Sequence, residues 1–79
     1  MATSSFIRPL DPSEQRALKA GLRSPDAFVL RRCQILLASA DGLRPSLIAA
    51  RLGCVSQTVR NAIRAFDAEG LACLGTGRE

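Results

Sequence analysis

The 79-residue chain contains no histidine, tryptophan or tyrosine and only three phenylalanines. Without histidine, the commonest general base and a frequent zinc ligand are missing. No nucleophile–base pair, Cys-x-x-Cys pair or phosphate-cradling glycine loop replaces them. We therefore predict that the chain is not an enzyme and has no catalytic residue, metal site, cofactor or small-molecule substrate. Leu, Ala and Ile dominate its apolar residues, a composition that favours helices over strands.

Cysteine and long apolar runs are also scarce. Cys33, Cys54 and Cys73 stand about twenty residues apart, and this odd number without paired spacing argues against a disulfide framework. We expect the three cysteines to be small, buried or half-buried apolar residues of a protein in a reducing cytoplasm. The N-terminus does not resemble a signal peptide, and apolar runs such as residues 35–38 are far too short to cross a membrane. We expect a cytoplasmic protein without a membrane partner.

Positive charge is concentrated in one part of the chain. The net charge is +4. Residues 42–66 carry four arginines and no acid, namely Arg44, Arg51, Arg60 and Arg64. A local basic segment is typical of a surface that binds a polyanion. A solvated basic face would have the same composition, so charge alone does not decide between the two.

The helix signals predict one all-α domain with four helices. Asp11, Pro12 and Glu14 form a capping-box pattern that starts the first helix. Ser24 and Pro25, followed by an acid, repeat the start signal. The resulting prediction is a flexible arm at 1–10, a helical domain at 11–74 with helices at about 12–22, 25–41, 45–52 and 56–69, and a frayed tail at 75–79.

Residues 47–66 have the pattern of a helix-turn-helix. Two helices that cross steeply need apolar groups at one-turn spacing, a small residue at the close approach, and a turn residue that tolerates positive φ. The second helix must also send an aliphatic residue into the angle between them. The residues that meet these requirements are Ile48, Ala49, Leu52, Gly53, Val59 and Ile63.

The polar residues around this motif have the chemistry needed to bind double-stranded DNA. A recognition helix presents its first turn and one outer face to base edges in the major groove. Gln and Asn pair with adenine, Arg pairs with guanine, and Ser or Thr binds either base type or phosphate. Arg44, Ser46 and Arg64 are better suited to phosphate. The candidate DNA-binding residues are Arg44, Ser46, Ser56, Gln57, Thr58, Arg60, Asn61 and Arg64.

Three alternatives stay open at this point. Arg8 is either an unordered arginine or a minor-groove contact of the kind made by homeodomain arms. Arg31 and Arg32 form either a solvated face or a second DNA contact. The competing function is a protein-interaction module that does not bind DNA and that dimerises or docks a partner through apolar residues left over on the second helix, such as Phe28 or Ile35. A homodimer is compatible with either function.

Five segments carry a family resemblance: DPSE at 11–14, RRCQILLASADG at 31–42, IAARLGC at 48–54, QTVRNAIRAF at 57–66 and EGLACL at 69–74. From about Pro9 to Leu74 the chain resembles the N-terminal region of bacterial insertion-sequence transposases of the mariner superfamily. The resemblance implies a homeodomain-like or paired-domain-like fold that recognises terminal inverted repeats. It also implies a bacterial protein that associates with the nucleoid when bound to DNA.

The chain departs from that family in two places. Val55 stands where members often have a cap-forming residue, and Ser56 comes next, which allows the recognition helix to start one residue later. Residues 75–79 lack the basic, proline-containing linker usual after this domain. In such proteins a DDE catalytic domain with metal-binding carboxylates follows, and the seven scattered acids of this chain do not supply one.

Overall fold

The computed structural model describes residues 7–74. Within this range it contains four α-helices and no strand: α1 (Pro12–Gly21), α2 (Ala27–Ala40), α3 (Pro45–Leu52) and α4 (Ser56–Glu69). A short 3₁₀ helix, Gly70–Leu74, follows α4 directly. The all-α prediction is confirmed. Residues 1–6 of the expected arm and the expected tail at 75–79 lie outside the described residues.

The first helix begins with the capping box that the sequence predicts. The Asp11 carboxylate accepts the Glu14 backbone N–H at 2.8 Å, and the Glu14 carboxylate accepts the Asp11 N–H at 3.1 Å. Pro12 occupies the first turn, where its missing N–H costs no hydrogen bond. These contacts are local in sequence, so a short segment is enough to specify them.

The second helix begins two residues later than predicted. Ser24 is not its N-cap, because the Ser24 hydroxyl accepts the Asp26 N–H at 3.1 Å within the preceding turn. Asp26 is the cap instead, and its carboxylate accepts the Phe28 N–H at 2.9 Å. A carboxylate close to the positive end of the helix dipole is the stronger cap. Pro25 therefore belongs to the turn.

Helix α2 runs through the middle of the domain and packs against α1, α3 and α4. Its residues Cys33, Ile35 and Leu36 are fully or almost fully buried. Ile35, only 1% exposed, is therefore a core residue and not the surface residue that the interaction-module alternative requires. Cys73 is buried like Cys33, and burial raises the pKa of both thiols. The remaining buried apolar residues are Ile7, Leu18, Ile48, Ala49, Val59, Ala62, Ile63 and Phe66.

Residues 7–10 are extended and pack onto the helices. Ile7 is buried, and its backbone N–H donates to the Ser39 hydroxyl at 3.0 Å. This bond gives the buried Ser39 hydroxyl of α2 a hydrogen-bond partner, as burial of a hydroxyl requires. The described part of the expected arm is thus fixed to the core and not free.

Arg8 is held on the helices by two kinds of contact. Its guanidinium makes two hydrogen bonds to the Glu14 carboxylate, at 2.9 and 2.7 Å, and lies 4.6 Å from the centre of the Phe66 ring. The hydrogen bond from Arg8, followed by that from the Asp11 N–H, lowers the pKa of Glu14 from 4.5 to about 2. Arg8 is therefore neither an unordered arginine nor a free minor-groove contact in this conformation. Sequence alone does not reveal the pairing of Arg8 with Glu14 and Phe66.

Candidate nucleic-acid interface

A tight turn joins α3 to α4. Gly53 ends α3 with φ 74° and ψ 33°, in the left-handed region that glycine adopts most readily. The Ala49 carbonyl accepts two N–H groups there, from Gly53 at 2.9 Å and from Cys54 at 3.0 Å. Ala49 itself is buried, as the close approach of two helices requires. The turn therefore has the geometry that the sequence predicts.

One face of α4 is buried against the rest of the domain. Val59, Ala62, Ile63 and Phe66 recur at helical spacing, and none is more than 3% exposed. Val59 packs into the core together with Ile48 of α3. Because this buried stripe fixes the rotation of α4 about its axis, it also determines which side chains face outward.

The outward face of α4 is polar and basic. Gln57, Arg60, Asn61 and Arg64 are all exposed, and their spacing of three, four and seven residues places them on one side of the helix. The Gln57 Nε2 donates to the Asn61 Oδ1 at 2.9 Å. This bond uses one donor and one acceptor of the pair. The Gln57 carbonyl oxygen and the Asn61 amino group remain available to a ligand.

The first turn of α4 is less polar than expected. Val55 is its N-cap and makes no side-chain cap hydrogen bond, and 65% of the residue is exposed. Ser56 follows as the first helical residue and is half-buried, whereas Thr58 is exposed. The start of α4 at Ser56 agrees with the sequence prediction. The exposed Val55 side chain at the tip of α4 is not among the polar residues predicted to bind DNA.

Two of the candidate residues lie on a different element. Arg44 is the N-cap of α3 and Ser46 lies in its first turn, and both are exposed. No hydrogen bond joins either side chain to α4 in residues 7–74. They belong to the same helix-turn-helix but not to the outward face of α4.

Helix α2 contributes a basic wall next to α4. Arg31 and Arg32 line a groove of about 310 Å³ together with Phe28, Thr58 and Asn61. Arg31 is exposed, which fits either a solvated face or a DNA contact. Arg32 is not part of a solvated face, because it is half-buried with its guanidinium 4.9 Å from the centre of the Phe28 ring. The sequence signal for this α2 wall is the spacing of Phe28, Arg31 and Ile35, which places the three residues on one stripe of the helix.

Two helices joined by a left-handed glycine turn, the second with one buried and one polar face, define a helix-turn-helix protein. The sequence profile of the homeodomain-like domain family matches residues 26–75, which span α2, α3, α4 and the 3₁₀ helix. The chain belongs to this family. Helix-turn-helix domains of this type indicate DNA as the partner.

The other comparisons give no relative. Neither the search of curated proteins nor the search of solved structures found a match. In the described part of the chain, no helix has both the length and the apolar character needed to span a membrane.

Proposed function

We propose that this chain binds double-stranded DNA in a sequence-specific manner by placing α4 in the major groove. The observation that carries the proposal is the outward face of α4. Its four exposed side chains, Gln57, Arg60, Asn61 and Arg64, all hydrogen-bond bases or phosphates readily, and none is acidic. The buried stripe on the opposite face of α4 holds them in a fixed orientation. A helix that only needed to be soluble would not require this composition.

The contacts differ in what they can read. Gln57 and Asn61 are bonded to each other, so together they offer one carbonyl oxygen and one amino group to neighbouring base edges. Arg60 is suited to guanine and Arg64 to phosphate. Val55 adds an apolar group at the tip of the helix, where it can pack against the methyl group of thymine. Specificity would then come from residues 55–61, and register from phosphate contacts.

The first turn of α3 supplies the phosphate contacts next to the reading helix. Arg44 and Ser46 are exposed there, and Pro45 between them is buried. The positive end of a helix dipole favours a phosphate at this position, and the Ser46 N–H can donate to it. These contacts would position the domain on the duplex without reading sequence.

Selection from random duplexes tests the proposal. The bound pool should converge on one motif, and Gln57→Ala or Asn61→Ala should relax discrimination at one or two base pairs of it. Gln15→Ala, at an exposed position on α1, is the matched control and should leave the motif unchanged. If the pool does not converge, or if all three variants select the same motif with the same stringency, α4 is not the reading helix.

The natural site, we further propose, is a terminal inverted repeat of a bacterial mobile element. The support is the resemblance of residues 9–74 to the N-terminal region of mariner-superfamily transposases. In this role the chain recognises DNA in the bacterial cytoplasm and carries out no catalysis itself. Duplexes made from terminal inverted repeats of that superfamily should outcompete shuffled duplexes of equal length. Equal competition by the shuffled duplexes would separate the chain from transposition while leaving DNA binding intact.

The alternative function, a docking or dimerisation module, has less support. Its expected surface was Phe28 and Ile35, but Ile35 is buried and the Arg32 guanidinium lies over the Phe28 ring. The exposed large apolar residues Leu22, Leu47 and Val55 belong to separate elements. Sedimentation that shows a stable dimer, combined with no affinity for duplexes, would favour this alternative.

A further inference from the structure

We propose that the groove between α2 and α4, about 310 Å³ in volume, binds a backbone phosphate of the DNA, with Arg31 as its main ligand. The inference rests on the proposed function. It adds to the recognition helix a phosphate site on an element outside the helix-turn-helix. The site would fix the lateral position of α4 in the major groove of the DNA.

The charge of the groove favours an anion. Arg31 and Arg32 form one wall, and no acidic side chain lines the groove. Asp26 lies nearest in sequence, but its carboxylate accepts the Phe28 N–H as the cap of α2. The opposite wall carries the Thr58 hydroxyl and the Asn61 amide. Together the two walls bring guanidinium and neutral hydrogen-bonding groups to one concavity, the combination that protein–DNA interfaces use for phosphate.

The two arginines have different roles. Arg32 is held by the Phe28 ring at 4.9 Å, and its positive charge opposes the rise that burial causes in the pKa of the Cys73 thiol. It therefore contributes a fixed positive charge. Arg31 is exposed, and no hydrogen bond or ion pair engages it in the described part of the chain. Its guanidinium is free to make a bidentate contact with a phosphate.

The position of the groove identifies the phosphate as part of a duplex. Asn61 belongs both to the groove wall and to the outward face of α4. With α4 in the major groove of the DNA, the strand on the Asn61 side of the helix would pass the opening of the α2–α4 groove, because Asn61 also lines that opening. A backbone phosphate on that strand is thus brought to Arg31 by the same docking that brings the bases to Gln57 and Asn61.

The test compares salt dependence in matched variants. Arg31→Gln should lower the slope of log affinity against log salt by about 0.9 and weaken binding roughly eightfold at about 0.1 M salt, equally for the selected and the shuffled duplex. Arg31→Lys should keep the slope. Arg23→Gln is the control, because Arg23 is exposed on a separate surface formed by α1 and the end of α2.

A scan with single neutral methylphosphonates locates the contact. One position should weaken the wild type but have no further effect on Arg31→Gln. The proposal is overturned if no such position exists, or if Arg31→Gln and Arg23→Gln change the slope equally while the wild type binds DNA normally. Binding of no duplex by the wild type would instead remove the proposed function itself.

A free anion is the other source of the same chemistry. Inorganic phosphate at matched ionic strength should compete no better than chloride, because the duplex presents its phosphate together with the bases. Specific competition by phosphate that Arg31→Gln abolishes would assign the groove to a free anion and overturn the proposal.

Discussion

Replacement of Gly53 by alanine isolates the conformational requirement of the helix-turn-helix. A Cβ added at Gly53 would meet no atom within 4 Å, so the change adds no clash. What remains is the cost of an L-residue at φ 74°, roughly 1–2 kcal/mol. The smaller entropy of the unfolded alanine chain offsets roughly 0.5 kcal/mol of this. We therefore expect a net loss of about 1 kcal/mol, which lowers Tm by about 4–8 °C in a domain of this size.

Thermal unfolding followed by circular dichroism at 222 nm measures the shift. Gly53→Asn should lower Tm less than Gly53→Ala does, because asparagine tolerates the left-handed region better than alanine. A synthetic chain with D-alanine at position 53 should be at least as stable as the wild type, since D-residues favour positive φ. Affinity for the selected duplex, measured well below Tm, should stay within about twofold because Gly53 makes none of the proposed DNA contacts. Equal destabilisation by L- and D-alanine would refute the reasoning.

Gly21→Ala should destabilise the domain by about 1–3 kcal/mol, because the new methyl group would overlap the Cys33 Sγ. In urea unfolding, Cys33→Ala should therefore cost less stability in the Gly21→Ala background than in the wild type. Additive effects of the two substitutions would contradict the close packing. The lowered Glu14 pKa, about 2 against an ordinary 4.5, means that Glu14 stabilises the fold above its unfolded pKa and that this contribution is lost as pH falls from 4.5 towards 2. Glu14→Gln should therefore flatten the stability profile between these values, and an unchanged profile would exclude the ion pair with Arg8. If Val55 packs against a thymine methyl, replacing that thymine by deoxyuridine should weaken binding about fourfold, since one methyl group is worth about 0.8 kcal/mol; Val55→Ala should reduce this difference, and equal affinity for both duplexes would remove Val55 from the reading surface.

The features predicted correctly from sequence depend on short segments. The capping box at Asp11 and Glu14 and the left-handed turn at Gly53 are each specified within a few residues. The buried stripe of α4 follows from periodicity alone. The predicted start of α2 was wrong by two residues, because Ser24 and Asp26, on either side of Pro25, could each serve as the cap and only their hydrogen bonds distinguish them.

The features that sequence did not predict depend on contacts between distant segments. Ile7 bonds Ser39, thirty-two residues away, and no local pattern indicates such a contact. The groove between Arg31 and Asn61 depends on how α2 crosses α4, which composition and periodicity do not determine. Ile35, which the interaction-module alternative requires at the surface together with Phe28, is buried. A wide apolar stripe identifies a central helix but not which of its residues stay exposed.

The affinity of the purified chain for a selected duplex, compared with a shuffled duplex over a range of salt concentrations, tests the central claim most directly. The selected duplex should be preferred by about 10³-fold or more at physiological salt. Affinity for both duplexes should fall steeply as salt rises, because several phosphates are contacted. Equal affinity for the two duplexes, or affinity that remains millimolar at low salt, would contradict the claim that α4 reads DNA sequence.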